Sequence, residues 1–165
     1  MIRHETPDDY AVIREVNRLA FGCDDEADLV ERLREEGVVT ASLVAVEGGE
    51  VVGHILFSEM TIETEGGAVR AAALAPMAVR PGRQRRGFGS RLIAAGLEAC
   101  CERGHGIVIV VGHPEYYPRF GFSAAQGQSL AGPGAGEAWM ALELIPGALE
   151  GVKGKVRYAK AFGIT

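Results

Sequence analysis

The feature that most constrains this chain is a strand running into a basic, glycine-bearing loop and then into a helix. Leu74-Ala75-Pro76-Met77-Ala78-Val79 leads into Arg80 to Gly89, and Ser90 to Glu102 follows with Leu92, Ile93, Leu97, Ala99 and Cys100 on one helical face. Gly104 closes that helix. Ile107 to Val111 is then a nearly continuous β-branched run, the mark of a buried central strand. A helix between two such strands must lie against the sheet they build, which sets an α/β architecture.

The flanking segments agree. Ile2 to Glu5 reads as a strand and Thr6-Pro7-Asp8-Asp9 as a helix start, with Thr6 as cap and Pro7 at the first position. Ala11, Val12, Ile13, Val16, Leu19 and Ala20 form an apolar stripe up to Gly22. Asp24-Asp25-Glu26 opens a second helix that Gly37 stops. The period then changes. Strands are expected over Ser42–Val46, Val51–Ile62 and Val69–Val79, joined by the hairpin turns at Gly48-Gly49 and Gly66-Gly67. Pro76 cannot donate to a ladder, so a bulge or splayed edge is expected there. A Gly/Ala/Ser-rich linker is expected from Ser123 to Gly136, and late strands over Trp139–Leu144 and Lys155–Ala159.

Composition narrows the function classes. The chain has 165 residues, enough for one domain with its own core. Its net charge of −5 disfavours nucleic acid as the main partner and is compatible with a cationic substrate such as an amine. No apolar run is long enough to span a bilayer, and the N-terminal residues lack the apolar core of a signal peptide, so no membrane association and a cytoplasmic location are expected. Cys23, Cys100 and Cys101 form neither a CxxC pair nor a metal-ligand spacing, so free thiols and no metal are expected.

The loop carries the chemistry. A helix N-terminus presents unpaired backbone N–H groups and a partial positive charge, and so binds phosphate. Gly87 and Gly89 let the backbone approach an anion without a Cβ in the way. Arg83, Arg85 and Arg86 add charge, and Ser90 offers a hydroxyl or a cap. The pattern is not a P-loop, because GxxxxGK[ST] is missing. Nor is it a dinucleotide fingerprint, because Leu92 stands where the third glycine belongs and the loop follows a β-meander. A solvated basic turn is the bland alternative.

Gln84-Arg85-Arg86-Gly87-Phe88-Gly89 matches the Q/R-x-x-G-x-G/A signature of the GNAT superfamily of acyl-CoA N-acyltransferases. Tyr117-Pro118-Arg119-Phe120-Gly121-Phe122 resembles that family's Y-x-x-x-G-F segment after the fifth strand. Both motifs stand in order, on the right elements, within a resemblance that runs from Ile2 to about Leu144. The wording from Gly112 to Phe122 is similar to the YhbS-type subgroup of bacterial predicted acetyltransferases. The resemblance implies one N-acetyltransferase domain over residues 1–165. Its fold is a mixed, mostly antiparallel sheet, splayed after the fourth strand and flanked by helices. It also implies acetyl-CoA as co-substrate, a small-molecule or peptide amine as acceptor, and often a homodimer.

Carried over residue by residue, Met77, Ala78 and Val79 offer backbone groups to pantetheine, with an amide near Met77 as donor to the thioester carbonyl. Gln84, Arg85, Arg86, Gly87, Phe88, Gly89 and Ser90 cradle the pyrophosphate. Tyr117 maps onto the family's tyrosine near the cofactor sulfur, the general acid for the leaving thiolate. Tyr116 takes that place if the register slips by one, and both rings otherwise serve to pack the loop. The fourth-strand glutamate that acts as base in some members is absent from Ala71 to Ala75. Candidates for that work are Glu26, His54, Glu59 and His113, of which Glu26 and His54 are the acceptor-site choices; a water chain is the alternative. The expected function is acetyl transfer from acetyl-CoA to a primary amine by direct attack. The alternative is an acyl-CoA-binding sensor without turnover.

Overall fold

The computed structural model describes residues 1–132 and 136–164. Among the described residues, twelve helices and strands lie in this order: β1 (Ile2–His4), α1 (Tyr10–Phe21), α2 (Asp25–Glu36), β2 (Val39–Glu47), β3 (Glu50–Thr64), β4 (Gly67–Val79), α3 (Phe88–Glu102), β5 (Ile107–Val111), α4 (Ala124–Gly127), β6 (Leu130–Ala131), β7 (Trp139–Glu143) and β8 (Gly154–Arg157). Short 3-10 turns include Pro7–Asp9, Pro81–Arg83 and Tyr117–Phe120.

Among the described residues the strands form one sheet with the path β1-β2-β3-β4-β5-β7, while β8 pairs with the far half of β3 and with β6. Pairing is antiparallel except for β4 with β5 and β6 with β8. The two faces of β3 are split by the strand period. Ile55 and Phe57 turn toward α3, and Leu56 between them turns toward α1 and α2. Helix α3 brings Leu92, Ile93, Leu97, Ala99 and Cys100 to the first face, all buried as the apolar pattern requires. Helices α1 and α2 bring Ile13, Val16, Val30 and Leu33 to the second. Gly96 allows the close approach of α3 to the sheet, because a Cβ there would stand 2.1 Å from the Phe57 ring.

Several boundaries differ from the sequence expectation. Strand β2 starts three residues early, at Val39, and α3 starts at Phe88 rather than Ser90. The first helix begins as a 3-10 turn with Thr6 at its N-cap and Pro7 in its first turn, as expected, and Asp9 completes a capping box with Thr6. The Asp9 carboxylate accepts the Thr6 N–H at 2.7 Å and both Arg3 nitrogens at 2.7 and 3.0 Å. Those bonds, the Arg3 pair foremost, hold it down at about 2. The stretch expected as a linker holds α4, capped by the Ser123 hydroxyl, and β6; residues 133–135 of it lie outside the described ones. Trp139 is interior, donating from its indole to the Gly127 carbonyl.

The splay expected after the fourth strand is present. Parallel pairing of β4 with β5 runs only through Ala72↔Val108 and Ala73↔Ile109. Beyond it β4 keeps company with β3 as far as Val79, and a wedge opens between β4 and β5. Ala75 and Pro76 together oppose the single residue Leu56, since Ile55 pairs with Met77 and Phe57 with Leu74. That is the bulge demanded by a proline with no N–H to give.

Candidate active site

The wedge opens into a cleft of about 720 Å³. Its walls come from four places: the end of α1, the end of β4, the loop into α3, and the loop after β5. The lining includes Met77, Ala78, Val79, Gln84, Arg85, Gly87, Phe88, Gly89, Ser90 and Tyr117, so the structure brings most of the sequence-derived site together.

At the mouth, Gly87 takes the left-handed backbone (φ 86°) and caps α3. The first backbone bond of the helix runs from the Arg91 N–H to the Gly87 carbonyl at 3.1 Å. The amides of Phe88, Gly89 and Ser90 therefore have no partner in the helical ladder, and these three residues line the cleft. A Cβ on Gly89 would come within 3.1 Å of the Tyr116 hydroxyl, so a larger side chain there would fill the cradle. Ser90 does not cap the helix. Its hydroxyl shares a 3.2 Å hydrogen bond with the Tyr116 hydroxyl.

Along the wedge the ladder dictates which groups are free. The Arg80 N–H donates to the Val52 carbonyl directly opposite. By the alternation of an antiparallel pair, Ala78 then spends its backbone groups on β3, while those of Met77 and Val79 face away from β3. The Gln84 side-chain amide reaches the Val79 carbonyl at 3.1 Å, as that direction requires. Of the three β4 residues picked out by the sequence, two can offer backbone bonds and Ala78 contributes only its methyl.

The loop arginines are less free than expected. Arg86 turns away from the cleft onto Glu47 of the β2–β3 turn, with bonds of 3.0 and 2.6 Å. Arg83 reaches the same carboxylate at 3.0 Å. Arg80 donates to the Val51 carbonyl at 2.9 Å and lies near Glu50 at 3.3 Å. Arg85 makes no side-chain hydrogen bond or ion pair with the described residues.

The two tyrosines are distinguished by their hydroxyls. Tyr116 is committed to Ser90. Tyr117, 7% exposed, packs edge-on against Tyr116 and Phe122, and its hydroxyl makes no hydrogen bond to the described residues. Burial, with Tyr116 beside it, pushes that phenol up to about 12. It holds its proton throughout the neutral range.

The acceptor-site choices do not reach the cleft. His54, fully buried on β3, points toward α1. The Asn17 amide donates to the Ile13 carbonyl at 3.0 Å and to His54 Nδ1 at 3.2 Å, so Nε2 carries the proton and donates to the Ser42 hydroxyl at 2.8 Å. Ser42 in turn donates to Glu5, which Arg34 holds from the other side at 2.9 and 3.1 Å. Burial first, and the charge of Arg34 second, push the His54 imidazole down to about 3. A ring so enclosed is neutral and structural. Glu26 lies in the first turn of α2 beside Cys23. Glu59 is tied to Thr40, Arg70 and His105. Of the four base candidates His113 alone lines the cleft. Sequence reasoning missed Ala20 and Phe21, which end α1 at the cleft, because a half-exposed aromatic at a helix end carries no pattern of its own.

Residues 1–125 match the family model for the acetyltransferase (GNAT) domain. The chain belongs to the GNAT acetyltransferase family. It is 36% identical to the N-acetyltransferase YhbS of Escherichia coli over 98% of both chains, and 44% identical to E. coli YjhQ over 72% of this chain and 67% of that one. The crystal structure of E. coli YhbS in complex with CoA covers 99% of this chain and 91% of its own, with a TM-score of 0.91. A GNAT family acetyltransferase from Brucella melitensis in complex with acetyl-CoA is 35% identical, with a TM-score of 0.82 over 98% of this chain and 97% of its own. The mixed, largely antiparallel sheet and its flanking helices are those of GNAT relatives. Among the described residues no helix is long and apolar enough to cross a membrane, and no three metal-ligating side chains cluster.

Proposed function

We propose that the chain transfers an acetyl group from acetyl-CoA to a primary amine by direct attack within a ternary complex. The observation that carries the reading is the row of unpaired amides at Phe88, Gly89 and Ser90, opening into a cleft that continues along the free edge of β4. The residues fit this co-substrate. The cradle is one that a side chain on Gly89 would fill, and Met77 and Val79 have outward backbone groups for an amide-bearing arm. When bound, acetyl-CoA supplies an acyl group already activated as a thioester.

The protein supplies placement and a few polar groups. The helix end and Arg85 hold diphosphate oxygens, through partial positive charge and through a guanidinium with no other partner among the described residues. The Met77 N–H serves as donor to a carbonyl oxygen on which charge develops. Tyr117 holds its proton and donates a hydrogen bond to the departing sulfur; raised as it is, the phenol steadies that charge rather than acting as a strong acid. Holding both reactants in one cleft supplies much of the rate. The test is calorimetric titration of acetyl-CoA into the parent and into Gly89→Glu, followed by thiol release with amine acceptors. Micromolar binding by the parent, lost in the variant, supports the proposal; equal affinities would remove it.

The second reading is an acyl-CoA-binding sensor without turnover. One observation favours it: among the described residues lining the cleft there is no Asp or Glu to serve as base. Binding with no transfer to any amine would select it.

A further inference from the structure

Resting on the acetyl-transfer reading above, we infer that the acceptor is a weakly basic primary amine carried on an apolar or aromatic body, and not an alkylammonium or a polycation. Three features of the cleft point there.

The first is charge. The charged side chains that line the cleft are Arg83, Arg85 and Arg119, and His113 adds an imidazole. No Asp or Glu is among the lining residues: Glu47 is held by Arg83 and Arg86, Glu50 lies toward Arg80, Glu26 lies beside Cys23, and Glu115, between His113 and Tyr116 in the chain, is exposed outside the lining. Arg85 and Arg119 have no ion pair among the described residues. Cofactor phosphates would answer the arginines of the loop. They would still leave no carboxylate at the wedge to receive an ammonium, whereas a protonated amine in low dielectric needs a partner.

The second is proton supply. The attacking nitrogen needs its lone pair. An alkyl amine of the lysine type, with a pKa of about 10.4, is neutral in only about one molecule in a thousand at pH 7.5. A peptide α-amine, with a pKa of about 7.7–8.0, is neutral in roughly a third, and an aryl amine almost wholly. In the transfer the nitrogen lone pair forms the N–C bond, the C–S bond breaks, and the products are an amide and a free thiol. The proton that nitrogen loses equals the one sulfur gains, so His113 or water need only carry it across. A weakly basic amine requires no prior deprotonation, which suits a cleft without a carboxylate.

The third is surface. Phe21 is 42% exposed at the end of α1, with Ala20 beside it, and both line the cleft. Met77 and the Tyr116 ring add apolar surface. An aromatic left open in a concave site is surface for a ligand's apolar body.

The full chain is assayed with saturating acetyl-CoA at pH 7.5 against an aryl amine, a peptide with an aromatic first residue and a free α-amine, Nα-acetyl-lysine and spermidine. The expected kcat/KM for at least one of the first two is tenfold or more above both of the last two. A faster peptide identifies an N-terminal acceptor, and a faster aryl amine a small molecule. A separate readout is calorimetric binding of the preferred amine to the protein–CoA complex. Phe21→Ala is expected to weaken it at least fivefold with CoA affinity unchanged. Preference for spermidine or the lysine ε-amine overturns the inference, as does amine binding indifferent to Phe21. Acetyl-CoA binding with no transfer to any of the four also overturns it. Failure to bind acetyl-CoA would instead mean that the underlying reading is wrong.

Discussion

Gly96→Ala tests how α3 is seated, and with it the cradle at the start of that helix. The added Cβ would lie 2.1 Å from Phe57 Cε1, 2.7 Å from Cζ and 3.1 Å from Cδ1, so the nearest contact is far inside van der Waals distance. The Phe57 ring cannot swing aside, because it is fully buried in the cluster that holds Ile55, Leu92 and Val108. Helix α3 must lift from the sheet instead. Forcing a methyl into a packed core costs about 1–3 kcal/mol. Alanine returns up to about 1 kcal/mol of that through its better helix propensity. An overlap as deep as 2.1 Å belongs in the upper part of that range, so the net loss is about 1–2 kcal/mol, a drop in melting midpoint of roughly 3–6 °C for a chain of this size. The Phe88–Ser90 amides ride on the same helix, so acetyl-CoA affinity should weaken alongside stability. Denaturant melts of the parent, Gly96→Ala, Phe57→Leu and the double variant measure the effect. A leucine side chain in place of the Phe57 ring makes room, so the double variant should recover about 1 kcal/mol or more relative to additivity. Strict additivity, or a Gly96→Ala protein as stable as the parent, would refute the packing argument.

Three further outcomes are expected. His54 stays neutral in the folded protein down to about 3, while in the unfolded chain it protonates near 6.5. Its contribution to stability is therefore complete above pH 6.5 and declines as pH falls toward 3. The loss is about 2 kcal/mol between pH 7.5 and 5; urea midpoints should fall more steeply over that range in the parent than in His54→Gln. Tyr117→Phe should lower kcat by about 10²-fold with acetyl-CoA affinity nearly unchanged, read by steady-state kinetics and calorimetry. Tyr116→Phe removes only the bond to Ser90, so its kcat should stay within about fivefold of the parent; equal losses in the two variants would contradict the separate roles assigned to the two hydroxyls.

Most of the cleft proposed for the cofactor was legible in the sequence because it is written in local chemistry. Gly87 and Gly89 before an apolar helix face, and Pro76 within a strand, each have a single good structural solution. The loop, the bulge and the splay follow from them. Legibility ends where long-range pairing decides. Nothing near Arg86 in sequence announces that Glu47, across a hairpin, takes its charge. His54 looks like a titratable side chain on a strand, but its fate is set by Asn17 and Ser42 from two other elements. Glu26 stands at a helix start where its charge suits the dipole, and only the packing of α1 against α2 shows that the cleft is walled by Phe21 instead. The acceptor side is built from ends of elements, where periodicity has run out.

The most direct measurement maps backbone amide resonances of the ¹⁵N-labelled protein during titration with CoA. The account predicts that the largest shifts fall on Gly87 to Arg91 and on Met77 and Val79, with Ala78 moving less. Shifts confined to a second cavity, of about 260 Å³ and lined by Lys155, Arg157 and Tyr158 at β8, or no shift at Gly89 and Ser90 at saturation, would contradict it.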